Sequence, residues 1–122
     1  MKTLIAGADR DGVRLLLIDQ AQVLADEYIA ARASHRNERA ILEMALHTVG
    51  LTWSDIGAFV ALTVPHSHTS VRVIRTIVHT TAWYYGKPFY AVDCEELQAE
   101  AAVLVERLKA VVGKGLVAPE NR

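Results

Sequence analysis

Apolar residues in this chain gather into short unbroken runs and longer stretches with helical spacing. Thr3 to Ala8 and Val13 to Ile18 are near-continuous apolar runs parted by Asp9-Arg10-Asp11-Gly12, and Asp19-Gln20 parts the second run from Val23 to Ala31. Runs of this length bounded by Asp and Gly predict three strands in an antiparallel meander. Ile41, Leu42, Ala45, Leu46 and Val49 then recur on one helical stripe, with Ser34 as the predicted cap and Gly50 as the left-handed stop. On that phase His35, Arg36, Arg39, Glu43 and His47 fall largely on the surface. Thr52-Trp53-Ser54-Asp55 predicts a short capped turn.

Ile56 to Thr63 is uniformly apolar, the mark of an interior strand. The loop Val64-Pro65-His66-Ser67-His68-Thr69-Ser70 hands over to a long helix reaching about Tyr85, with Ser67 or Thr69 as its cap. Gly86-Lys87-Pro88 leads into a fifth strand, Phe89 to Val92. A crossover of that length joins parallel strands, and its first loop lies where anions commonly bind, although it lacks the glycines that let a backbone wrap a phosphate. Asp93 with Glu96 predicts a capping box for a third helix ending near Val112, ahead of Gly113. The order β-β-β-α-β-α-β-α predicts an α/β fold with a five-stranded mixed sheet, right-handed crossovers and helices on both faces. That is the ribonuclease-H-like single lobe found in pairs in actin-like ATPases. Residues 1–113 form the lobe, and 114–122, with Gly115 and Pro119 and no periodicity, read as a loose tail.

With 122 residues the chain builds one core. A formal net charge of −1 excludes a general polyanion-binding field, and 52% apolar residues leave room for a surface committed to a partner. Cys94 is the single cysteine, which excludes an internal disulfide and fits a reducing compartment. The N-terminus meets Gly7, Asp9 and Arg10 too soon for a signal peptide, and no apolar run approaches a membrane span, so a cytoplasmic location is expected.

His68, Arg72, Arg75 and His79 share one helical stripe, with Trp83 near its end. They read as an anion or RNA-backbone contact, or as a solvated face whose arginines pair with acids elsewhere; the near-neutral charge weighs toward the second. His66 and His68 place two imidazoles close together, but His79 lies about 16 Å along the helix from His68, too far for one ion. Asp9 and Glu43 are the carboxylates a two-metal nuclease site would draw on, yet no acid ends the fourth strand. Cys94 has no base partner at a telling spacing and reads as packing; capping explains Ser67 and Thr69. No catalytic residue, metal or cofactor is expected.

Several strings resemble the N-terminal half of the TsaB family. The family's Gly-Pro-Gly-Ser-Phe-Thr-Gly-Leu-Arg-Ile-Gly segment matches Val64 to Ile74, keeping Pro65, Ser67, Thr69 and Arg72 and replacing all four glycines. Gly86-Lys87-Pro88-Phe89, Ser34 to Arg39, and Val49-Gly50-Leu51-Thr52 with Asp55 are also similar. Around Asp9 the superfamily's phosphate-cradling hydroxyl residues are missing. The resemblance implies a non-catalytic scaffold that supports threonylcarbamoyladenosine formation on transfer RNA, pairing through its first and second helices with a TsaD-like protein or with itself. The second helix carries Val71, Val73, Ile74, Ile77, Val78, Trp83, Tyr84 and Tyr85, more apolar surface than one core-facing stripe needs, so the surplus reads as interface or as a helix covered on two sides. The interface reading draws on Ile41, Ala45, Val71, Ile74, Ile77 and Val78, with Ser70 and Ile74 holding a partner's backbone away where glycine would admit it. Contact with transfer RNA would then be indirect. The alternative is a metal-dependent nucleotide- or nucleic-acid-acting enzyme of the same fold using Asp9 and Glu43.

Overall fold

A computed structural model describes residues 1–20 and 22–115. The meander forms as β1 (Lys2–Ala8), β2 (Gly12–Asp19) and β3 (Gln22–Ala30). Asp9 builds the first turn, its Oδ1 accepting from the amides of Asp11 and Gly12 at 2.9 Å each. This carboxylate satisfies turn amides that would otherwise need water. Gln20 turns the second corner in the left-handed region, with φ at 57°.

A 3-10 turn at Ala33–His35 precedes α1 (Glu38–Thr48); β4 (Ala58–Thr63), α2 (His68–Tyr85), β5 (Phe89–Asp93) and α3 (Ala101–Gly115) follow. The sheet order is β3-β2-β1-β4-β5. β1 and β2, and β2 and β3, pair antiparallel, while β1, β4 and β5 run parallel. The five-stranded mixed sheet read from the sequence is therefore the one that forms. Strand alternation divides the core in two. Leu4, Leu15, Leu17 and Phe59 meet Leu42 and Leu46 of α1 and Ile74 and Val78 of α2 on one face. Ile5, Leu16, Val60 and Leu62 meet Leu97, Leu104 and Leu108 on the other, beneath α3. The Thr52–Asp55 turn closes as a capping box, and Trp53 is buried.

Three boundaries differ from the sequence reading. Asn37, not Ser34, caps α1, its Oδ1 accepting from the Ala40 amide at 3.1 Å, while Ser34 Oγ pairs with Nδ1 of His35. The cause is Arg36, which the helical phase put on the surface. Its side chain is 1% exposed; Nη1 donates to the carbonyls of Gly12 and Ala31, and Nε donates to Glu38. That anchorage holds the backbone extended until Asn37.

The second difference is the start of α3. Asp93 completes β5 opposite Thr63, and the Cys94 amide donates to the Thr63 carbonyl. Cys94 and Leu97 then bury themselves against the sheet. Arg14 of β2 donates through Nη1 to the carbonyls of Leu97 and Ala99, and pairs with Asp26 through Nε and Nη2 at 3.0 and 2.9 Å. Carbonyls engaged by a buried arginine do not open a helix, so the Asp93/Glu96 signal is overridden. Third, Lys114 and Gly115 belong to α3 and not to the tail; the rest of the tail, 116–122, lies outside the described residues.

Candidate functional site

Ligands of open α/β sheets gather outside the carboxyl ends of parallel strands. Here β4 ends at Thr63 and β5 at Asp93, and a groove of about 490 Å³ opens beside them. Pro65 forms one wall, and His68, Arg72 and Arg75 of α2 reach it from the helix side. The sequence expected a hydroxyl cap on α2; Ser67 holds the cap position but makes no side-chain cap bond, and no acid sits in the first turn. The opening amides of an 18-residue helix thus keep their partial positive charge uncompensated by side chains. His66 adopts φ 66° where the resemblance places glycine. An L-residue held there costs about 1 kcal/mol.

The four-residue basic stripe divides. Arg72 is exposed, and no ion pair or hydrogen bond engages its side chain among the described residues. Arg75 lies over the Phe89 ring at 5.8 Å, and His79 stacks on the same ring with centroids 4.3 Å apart. His79 thus serves Phe89, while His68, Arg72 and Arg75 face the groove. Among the described residues neither arginine is paired to an acid, and both are exposed; the carboxylate sharing their groove is Asp93. Cys94 lines the floor, its thiol pushed up by burial against the opposing pull of Arg107 and Arg14, consistent with packing.

Asp9 and Glu43 each serve a structural hydrogen bond. Asp9 is engaged in its turn, and Glu43 Oε2 accepts from Trp53 Nε1 at 2.9 Å. Among the described residues no three of His, Cys, Asp or Glu gather closely enough to hold a metal.

The residues named for an interface sit deeper than the sequence suggested. Ile74 and Val78 are fully buried and Ala45 nearly so, all in this chain's own core; Ile41, Val71 and Ile77 are half-buried against it. Ser70 is buried too. Ser70 and Ile74, where the resemblance places glycine, therefore face this chain's own interior. The most exposed apolar side chains of these helices are Met44 of α1, at 71%, with Trp83 and Tyr84 of α2 at 67% and 74%. Met44 was missed, although its place two residues beyond Leu42 takes it off the buried stripe. The surplus apolar surface expected on α2 is concentrated in its last turn.

No family model and no curated protein matches the chain. Solved structures do. YeaZ (TsaB) from Pseudomonas aeruginosa is 18% identical with a TM-score of 0.64, over 92% of this chain and 50% of that one. The fold is YeaZ-like. Archaeoglobus fulgidus Pelota follows at 11% identity and TM-score 0.58, over 96% of this chain and 35% of that one. RuvC of T. thermophilus, in complex with its Holliday junction substrate, gives 15% identity and TM-score 0.55, over 99% and 85%. This chain spans about half the length of YeaZ. The ribonuclease-H-like, actin-like lobe expected from element order is thus the fold observed.

Proposed function

We propose that this chain is a non-catalytic, TsaB-like scaffold that works while held against a second subunit. The partner is a TsaD-like enzyme or a second copy, and the process served is threonylcarbamoyladenosine formation on transfer RNA. One observation carries the reading: α1 and α2 cover the same sheet face, and each leaves large apolar side chains in water, Met44 on the first and Trp83 and Tyr84 on the second. Trp, Tyr and Met are the residues interface centres favour. The YeaZ-like fold supports the TsaB-like part of the reading. The engagement of Asp9 and Glu43 in structural hydrogen bonds supports a scaffold over a metal enzyme.

Light scattering tests it. The chain alone elutes at twice its 13.4 kDa mass, or co-elutes with an added TsaD-like protein, and Tyr84→Asp abolishes whichever association is seen. A monomer that ignores the TsaD-like protein, or one that turns over ATP with magnesium, overturns the reading.

A further inference from the structure

We propose that the groove at the carboxyl ends of β4 and β5 binds a phosphate group, gripped by Arg72 and Arg75 with His68 and the opening amides of α2. Arg72 and Arg75, neither ion-paired among the described residues, line a groove whose one carboxylate residue is Asp93, so its lining is formally positive in a chain whose net charge is −1. Arg72 has no partner to give up among the described residues, so binding an anion breaks no existing ion pair. Arg75 lines the groove one turn further along α2, with its guanidinium resting over the Phe89 ring at 5.8 Å. Arginine forks suit phosphate oxygens, and charge-assisted bonds of this kind are about twice as strong as neutral ones. The uncapped, acid-free first turn of α2 adds partial positive charge on the same side.

The loop limits the manner of binding. Val64 and His66 carry side chains where a glycine loop would let backbone enclose a phosphate. The grip therefore comes from side chains at an open groove, suited to a terminal phosphate or to one phosphate of a strand passing by. The inference does not rest on the scaffold reading, because His68 and Trp83 stand about 22 Å apart along α2.

The test is isothermal titration of the whole chain with two probes, inorganic pyrophosphate and an octauridylate lacking terminal phosphates, at low salt. The variants are Arg72→Gln and, as an equal loss of charge elsewhere, Arg10→Gln on the β1–β2 turn. At least one probe binds with a Kd at or below about 1 mM. Arg72→Gln weakens it at least about tenfold and Arg10→Gln leaves it unchanged. Binding of pyrophosphate alone assigns a free phosphorylated ligand, and binding of the oligonucleotide assigns a strand backbone. No binding of either probe, equal binding by Arg72→Gln, or equal weakening by Arg10→Gln overturns the proposal. An unchanged melting temperature of Arg72→Gln confirms that the loss is of contact and not of fold.

Discussion

Tyr28 packs against Gly12, so closely that a Cβ at Gly12 would overlap the hydroxyl end of the phenol. Gly12→Ala must therefore move Tyr28 or the turn behind it, at a cost of about 1–3 kcal/mol in urea unfolding. A Tyr28→Ala second change recovers part of that loss if the clash is its cause. The same phenol gives a pH signature. Burial first, then the charges of Asp9 and Asp11, raise its pKa above 10.0, while Arg36 opposes them. A group with a raised folded pKa contributes stability that is whole below its unfolded pKa and is lost as pH climbs through the folded value. Unfolding free energy should fall more steeply above pH 10 in the wild type than in Tyr28→Phe, and superimposable profiles would reject the assignment. Arg14 is the other residue with a large effect. Its replacement by Leu strands Asp26 and the carbonyls of Leu97 and Ala99, costing about 2–4 kcal/mol, somewhat below a fully buried pair because Asp26 is half-open to water.

At the scale of elements, α1 offers a paired test of local against tertiary signals. Asn37→Ala removes a bonded cap and should cost about 1 kcal/mol, while Ser34→Ala, at the position local pattern favours, should cost little by the same denaturation measurement. Interior strands were legible because a sheet covered on both faces buries every residue and so demands unbroken apolar runs, as Leu15, Leu16 and Leu17 show by facing opposite layers in turn. Among helix starts, that of α2 falls behind Ser67 as its local pattern indicated. Those of α1 and α3 were not legible, because Arg36 and Arg14 act across the fold. One holds α1 back to Asn37 and the other holds α3 back to Ala101. A long-range arginine bond has no local periodicity to betray it. The groove was half legible: helical spacing aligned His68, Arg72, Arg75 and His79, but only the arrival of Phe89 beneath the helix separates His79 from the rest. Depth was misjudged for Ile74 and Val78 because α2 buries a broad stripe against β1, β4 and β5, leaving its surplus at the last turn.

For the whole molecule, the scaffold reading ties stability to concentration. A single sheet sandwiched by α1 and α2 on one face and α3 on the other makes one cooperative unit, so heat should unfold it in one transition. If two such units associate through α1 and α2, dissociation accompanies unfolding and mass action raises the midpoint with protein concentration. A tenfold change in concentration is worth about 1.4 kcal/mol, and for a pair of chains this size it shifts the midpoint by about 3 °C. Tyr84→Asp should erase that dependence without lowering the dilute-limit midpoint, because Tyr84 is 74% exposed and contributes little to its own chain's core. Should the natural companion be a TsaD-like protein, the chain alone gives a flat line and the slope appears on titrating that protein. A midpoint indifferent both to its own concentration and to the added protein leaves Trp83 and Tyr84 as ordinary solvent-facing aromatics, and the scaffold reading fails with them.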